Sequence, residues 1–521
     1  MAEGRYKDDH EPYTVLEQPL DTTRHVRIIT IGAGASGINM IRTLRKTLSN
    51  CENVVYEKIP DIGGTWYENR YPGCQCDIPS HNYQFSWAPN PRWSRFYSET
   101  SEIHGYFKDL VVREDLGDAI KLRHQVEHAE WDEDKGQWRV RVRDLNTDTV
   151  IKVVAHFLLD GSGILNNCKW PDIPGLHTFK GDLVHSASWP TDWDYKGKRV
   201  AVVGNGLSGV QIVPAISPIW VALSGLQGTS TSTAGEVFDQ DKTLYKRFVK
   251  AIEEVMNNKF NFGVVKEQLS SYMANALKGD KKLIDMLVPD FPLGYRRITP
   301  SVSYLNALHE DNMHLVTDPI TEIFETGFKT QSGEIIHVDA IVCATGFDVS
   351  FRPRFPILGR SGENLQDIWT EQPPSSYMSC AVPGMPNYFT FLGPNAPIGH
   401  GRVLTITEHA AKYITRLIHK CQEEGIKSVT PRQEAVNDLN EHIATFMPRT
   451  AWAGTCRSWF KNGEQDGPVT ALHPGSRIHR FHMMQNFRGE DFEYTHWAGN
   501  RFRYLGNGYS TLKGAGMNST W

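Results

Sequence analysis

Three stretches of the chain hold residues whose types and spacing could do chemistry. The first is Gly32-x-Gly34-x-x-Gly37, directly after the apolar run VRIITI, with Glu57 twenty residues beyond the last glycine. Glycines in this pattern let the backbone approach a pyrophosphate at the positive end of a helix. An acid at that distance suits the ribose hydroxyls of an adenine dinucleotide. The second is Gly204-x-Gly206-x-x-Gly209, after RVAVV and with Ser208 inside it. Two such turns in one chain point to two dinucleotides, by the usual division a flavin at the first and a nicotinamide at the second. The third is FKGDLVHSASWP, Phe179 to Pro190, whose Phe, His and Trp fit neither helix nor strand periodicity. His185 there is either catalytic or part of a linker.

These turns need elements to hold them. VRIITIG reads as a strand, AGASGINMIRTLRK as a helix and NVVYEK as a second strand, the opening of a doubly wound sheet. KRVAVVGNGLSGVQIVPAI repeats the signature about 170 residues later. Between them QWRVRVRDLNTDTVIKVVAHFLLD suits a meander, followed by the proline-rich WPDIPGLHTF. Residues 236–290 read as mostly helical, VDAIVCATGF as a strand, and LTITEHAAKYITRLIHKCQEEG as a long helix capped by Gly425. From about residue 450 the chain is aromatic and turn-rich. The expected fold class is α/β, with two doubly wound, Rossmann-like dinucleotide-binding domains and a helical insertion. Residues 1–180 form the first part of the flavin domain. Residues 181–335 form the nicotinamide domain, with the insertion at about 236–290, and residues 336–521 the second flavin part and an aromatic-rich end.

Of 521 residues, 40% are hydrophobic and 22% charged, with a net charge of −5, which suits a soluble globular protein and gives no reason to expect nucleic acid. No apolar run reaches the ~18–20 residues of a membrane span. The first twenty residues mix charges of both signs without an apolar core, so a cytoplasmic location is expected. The eight cysteines show no C-x-x-C and no zinc spacing, so free thiols and no metal are expected.

The segment GGTWYENRYPGCQCD, Gly63 to Asp77, contains G-G-x-W-x-x-x-x-Y-P-G-x-x-x-D. Together with F-x-G-x-x-x-H-x-x-x-W-P and both glycine turns, it resembles the FAD-dependent Baeyer–Villiger monooxygenases over roughly residues 25–510. YRRITPSVSYLNAL, CATGFD, GPNAPIGHG and CRSWFKNG are most similar to the fungal secondary-metabolism branch, which includes polyketide mycotoxin pathways. The resemblance implies FAD and NADPH as cofactors, O2 and a bulky ketone, polyketide or terpenoid, as substrates, and an ester or lactone as product. NADPH reduces the flavin, which takes O2 as an anionic C4a-peroxide that attacks the ketone. Such an anion calls for a permanent cation with a planar donor fork, Arg rather than Lys.

By resemblance, Arg297 is the catalytic arginine, Arg296 lies near the nicotinamide nucleotide, and Asp77 sits beside the flavin and orients the arginine. Gly64, Thr65, Trp66 and Tyr83 fall to the flavin site, as does Asp348. Trp459 resembles an aromatic on a loop closing over the nicotinamide nucleotide. His185 contacts the cofactor side and keeps two domains in register, with Phe179, Trp189 and Pro190 as packing anchors and Gly181 supplying a turn dihedral. One expected feature is missing: no Lys or Arg occurs from Val200 to Asp241, where a 2′-phosphate partner belongs. Arg296, Lys196 or Lys198 supplies that charge from elsewhere, or nicotinamide binding is altered, or residues 218–235 reflect a gene-model error. Rival readings are a flavin hydroxylase or heteroatom oxidase, and a flavin-binding protein that has lost NADPH turnover. A disulfide reductase is set aside because Cys74-x-Cys76 has the wrong spacing for a redox pair.

Overall fold

The structure, a computed structural model, describes residues 13–216, 270–288, 301–400, 402–455 and 457–512. The run VRIITI forms β1 (Val26–Ile31), followed by α1 (Ala35–Thr47) and β2 (Cys51–Glu57), parallel to β1. A one-turn helix α2 (Thr65–Glu68) and a longer α3 (Thr100–Arg113) lead to β3 (Ile120–Leu122), which pairs with β2. An antiparallel meander follows, β4 (His124–Asp132), β5 (Gln137–Asp144) and β6 (Thr149–Ala155). The expected meander ends there. FLLD, as β7 (Phe157–Asp160), leaves it to lie beside β1 in the parallel sheet.

The second unit starts at β8 (Asp182–His185), continues through β9 (Val200–Val203) into α4 (Leu207–Ala215), and includes α5 (Lys281–Leu287) and α6 (Val302–Ala307). Of the helical insertion expected at 236–290, residues 270–276 and α5 are helical and the remainder lies outside the described residues. A three-stranded antiparallel sheet follows: β10 (Ile320–Phe324), β11 (Gly327–Thr330) and β12 (Ile335–His337). Next, β13 (Ala340–Cys343) inserts between β8 and β9, parallel to both. The boundary expected after residue 335 is therefore too early. Strand pairing keeps residues 340–343 in the second unit. The chain then returns through β14 (Ile357–Leu358), α7 (Leu365–Glu371) and β15 (Tyr388–Thr390), which extends the first parallel sheet beside β7. The long helix α8 (Val403–Glu423) has Gly425 at φ 61° just past its end, and β16 (Ile426–Pro431), α9 (Gln433–Phe446), α10 (Arg477–Gln485) and β17 (Phe492–His496) complete the described chain.

The two units are layered alike. Neighbouring residues of a strand face opposite sides, so a strand buried on both faces is apolar throughout. In the first sheet Val26, Ile28, Phe157 and Leu159 face α1 and α8, while Ile29, Ile31 and Leu158 face Trp131, Trp138 and Val140 of the meander. In the second, Val200, Val202, Ala340 and Val342 face α4 and α6, while Ala201, Val203, Ile341 and Cys343 face Ile323 and Phe328 of the small antiparallel sheet. Each parallel sheet thus has helices on one face and an antiparallel sheet on the other among the described residues. The α/β class with two Rossmann-like parallel sheets is as expected, and the antiparallel sheets cover their second faces.

The linker FKGDLVHSASWP behaves as packing for most of its length. Phe179 and Trp189 are buried, in the cores on opposite faces of the second sheet. Pro190 is exposed and so is not the packing anchor expected. Gly181 is not in the left-handed region. It is required because a side chain there would overlap the Asp339 carbonyl oxygen and the Phe179 ring.

Candidate active site

Both glycine turns sit where a strand end meets a helix start, and both are closed in the same way. Gly34 and Gly206 are the N-caps of α1 and α4, and neither turn has a side chain capping its helix. The free N–H groups there are left to a ligand. Gly37 and Gly209 do a different job. A Cβ on Gly37 would overlap the Gly32 carbonyl oxygen, and one on Gly209 would overlap that of Gly204. Third glycines of this kind permit close helix–strand packing rather than ligand contact.

Gly32, Gly34, Gly204 and Gly206 open onto one cavity of about 2260 Å³. A single small-molecule site is typically about 300–1,000 Å³, so this space has room for more than one ligand. Glu57, at the end of β2, lines it and is buried. Its Oε2 accepts from the Ala33 N–H at 2.7 Å and its Oε1 from the Ile59 N–H at 3.1 Å. Burial pushes its carboxyl up, against the lowering effect of those hydrogen bonds and of Lys58. A carboxylate has about four acceptor sites, so two remain for ribose hydroxyls.

The Gly63–Asp77 segment forms another wall. Gly64 has φ 52° and caps α2, and a Cβ there would come within 3.2 Å of the Gly34 Cα. The two glycine backbones therefore pack directly against each other at the cavity edge, and the positive φ at Gly64 favours glycine there. Thr65, Trp66 and Tyr83 line the same space. The Trp66 indole donates to the Tyr83 hydroxyl at 3.0 Å, with the rings edge to face at 5.3 Å. Asp77 also lines the cavity. Near it stands Tyr97, which sequence reasoning missed. Burial, followed by the charge of Asp77, pushes the Tyr97 hydroxyl up.

The remaining expected residues divide. Ser208 and Trp459 line the cavity. Lys461, two residues after Trp459, is buried and donates to the carbonyls of Gly454 at 2.6 Å and Gln465 at 2.9 Å, which ties that turn down. Asp348 is behind the wall and pairs with Arg354, at 2.7 Å, which does line the cavity. Burial acts to raise the Asp348 carboxyl, but the Ser350 hydrogen bonds and Arg354 outweigh it and leave it lowered. His185, at the end of β8, is also behind the wall. Its Nδ1 accepts from the Ala187 N–H at 3.1 Å, which leaves the proton on Nε2, 3.4 Å from the Thr345 hydroxyl. Burial holds the ring below the usual histidine range, so it is neutral, and Thr345 stands between it and the cavity. Lys198, one candidate partner for a 2′-phosphate, is ion-paired with Asp182. Arg296 and Arg297 lie outside the described residues, as does most of the stretch lacking Lys and Arg.

Comparison with known proteins gives the family of the chain. Residues 25–455 match the family described as Flavin-binding monooxygenase-like. The chain belongs to that family. Among flavin-binding monooxygenases it is 38% identical to the FAD-binding monooxygenase moxY of Dothistroma septosporum, over 94% of this chain and 83% of that protein. It is 32% identical to a Baeyer-Villiger monooxygenase of Streptomyces coelicolor, over 87% of this chain and 89% of that one. The crystal structure of OTEMO complexed with FAD and NADP superposes with a TM-score of 0.77 at 25% identity, covering 91% of this chain and all of that one. The expected FAD and NADPH agree with these relatives. As a family member the protein is a flavoprotein oxidoreductase. No helix among the described residues is long and apolar enough to cross a membrane.

Proposed function

We propose that the protein is an FAD- and NADPH-dependent Baeyer–Villiger monooxygenase acting on a bulky ketone. The observation that carries this reading is the shared cavity: one space is lined by both glycine turns and by the segment from Gly63 to Asp77. A flavin at the first turn and a nicotinamide nucleotide at the second therefore meet in one enclosure. The Streptomyces relative's Baeyer–Villiger activity supports the reaction type, and the resemblance to the fungal branch supports a secondary-metabolite substrate. When bound, the reduced flavin supplies electrons to O2, so that one oxygen atom enters the ketone beside its carbonyl and the other leaves as water.

This chain's residues bind, orient and shield. Glu57 takes ribose hydroxyls, the N-termini of α1 and α4 take pyrophosphates, and Gly34 and Gly64, without side chains, let the flavin nucleotide approach the backbone from the cavity side. The Trp66–Tyr83 pair walls the space. Asp77, at the cavity wall, is proposed to orient a guanidinium. Arg297 is proposed as that guanidinium, stabilising anionic oxygen, with Arg296 near the nicotinamide nucleotide.

Product analysis with labelled O2 on candidate polycyclic ketones tests the proposal. The parent protein should place one labelled oxygen in an ester or lactone. Arg297→Ala should oxidise NADPH at a comparable rate while product falls on the order of 100-fold or more, as expected on losing a charged stabiliser. A labelled alcohol or N- or S-oxide in place of an ester would assign the protein to hydroxylation or heteroatom oxidation. Failure of NADPH to bleach the flavin without oxygen would mark lost nicotinamide turnover.

A further inference from the structure

Gln211 lies on α4 two residues past Gly209 and is 4% exposed. Its Oε1 accepts from the Tyr71 hydroxyl at 3.0 Å and from the Gln75 N–H at 3.3 Å, and its Nε2 donates to the Gln75 carbonyl at 3.0 Å. One side-chain amide thus satisfies both main-chain groups of Gln75, across the boundary between the two units. The backbone is pressed onto the same helix. A Cβ on Gly73 would lie 2.6 Å from the Gln211 carbonyl oxygen and 3.0 Å from the Ala215 methyl, so only glycine fits. Tyr71 and Cys74 belong to the core of the second unit, although their segment walls the first glycine turn's side of the cavity. On its other flank the segment is held by the Cys76 N–H on the Ser98 carbonyl at 2.9 Å and the Thr100 N–H on the Cys74 carbonyl at 3.0 Å. Asp77 follows Gln75 by two residues, so wherever the Gln75 peptide is held, Asp77 has little freedom.

α4 begins at the second glycine turn, with Gly206 as its N-cap. Gln211 is therefore little more than one helical turn from the phosphate position. We propose that Gln211 is a positioning residue that couples occupancy of the second glycine turn to the placement of Asp77. A dinucleotide on the turn restrains the first turn of α4, and Gln211 passes that restraint to both peptide groups of Gln75 and so to the Asp77 carboxylate. The inference rests on reading the second turn as a nicotinamide nucleotide site.

Amide hydrogen exchange of the FAD-loaded full chain, with and without NADP+, tests it without reference to turnover. In the parent, NADP+ should slow exchange across residues 71–77 by about fivefold or more, the lower end of ordinary coupling between sites. In Gln211→Leu this slowing should shrink to less than about twofold while NADP+ still binds within about threefold of the parent affinity. Tyr71→Phe, which leaves the Gln75 pair intact, should keep most of the effect. Should Gln211→Leu fail to fold or hold FAD, Gln211→Glu takes its place, since it keeps an acceptor for Gln75 but loses the donor. Undiminished slowing in the Gln211 variant, or none in a parent that binds NADP+, overturns the coupling. A parent that does not bind NADP+ overturns the reading of the second turn and the coupling with it.

Discussion

Glu57 accepts two main-chain N–H groups and still faces the cavity. Its placement and its proposed ligand contact are thus separable. Glu57→Gln keeps the shape and one acceptor oxygen but replaces the other with a donor, opposite the Ala33 or the Ile59 N–H. FAD affinity should fall about tenfold or more, the loss expected for one or two charge-assisted hydrogen bonds, and equilibrium dialysis of the apoprotein with FAD would read it. Asp77→Asn should reproduce the Arg297→Ala pattern in weaker form, because an amide no longer holds the guanidinium by charge. NADPH consumption would continue while oxygenated product falls. His185 behaves differently from either. Its neutral ring, fixed by the Ala187 N–H and facing Thr345, has no route to a reacting atom except through another side chain.

Each glycine turn is one strand end and one helix start pressed together, and its third glycine sets how tightly. A methyl at Gly37 or Gly209 meets a carbonyl oxygen of its own turn, and backbone cannot move aside as a flexible side chain would. The two elements should therefore fail independently. Gly209→Ala should retain FAD while NADPH affinity falls by about tenfold or more, and Gly37→Ala should lose FAD. Flavin content after purification and the NADPH concentration dependence of anaerobic flavin bleaching would separate the two. Loss of FAD from Gly209→Ala would show that the second turn supports the first rather than serving its own nucleotide.

Across the whole molecule, two half-buried histidines tie stability to pH. Burial, followed by Arg24, His25 and Arg27, lowers His156 to about 4; burial, followed by Lys412, Arg477 and Arg480, lowers His409 to about 4. Below about pH 6.5 the unfolded chain binds protons at these rings that the folded chain refuses until about pH 4. Stability should therefore fall as pH drops through that window, by on the order of 1 kcal/mol per pH unit given partial exposure of both rings. The buried Glu57 and Glu408 carboxyls, both raised, act the other way near its lower end. Urea denaturation between pH 7 and 4.5 would show the slope, and His156→Gln with His409→Gln should make it shallower, the other lowered histidines, His185 among them, keeping the remainder.

Local pattern determined much of this protein: the β1–α1–β2 unit, its repeat at β9–α4, the acid at the end of β2, and the long α8 with Gly425 beyond it. Each depends on neighbours within about twenty residues, and glycine spacing or strand and helix periodicity reports such neighbours directly. Pairing between distant segments was not legible. Sequence reasoning left β7 in the meander and cut β13 from the second sheet, because a short apolar strand carries no mark of which sheet will take it. It read Gly181 as a turn dihedral when the constraint is the Asp339 carbonyl, far along the chain. Gln211 also escaped, although its place two residues past Gly209 and the tyrosine and glycine at Tyr71 and Gly73 were in view. A buried amide gains its meaning only from what it faces. Only the folded chain brings Tyr71, Gln75 and Gln211 together, because burial makes unpaired polar groups costly and so selects the contacts that satisfy them.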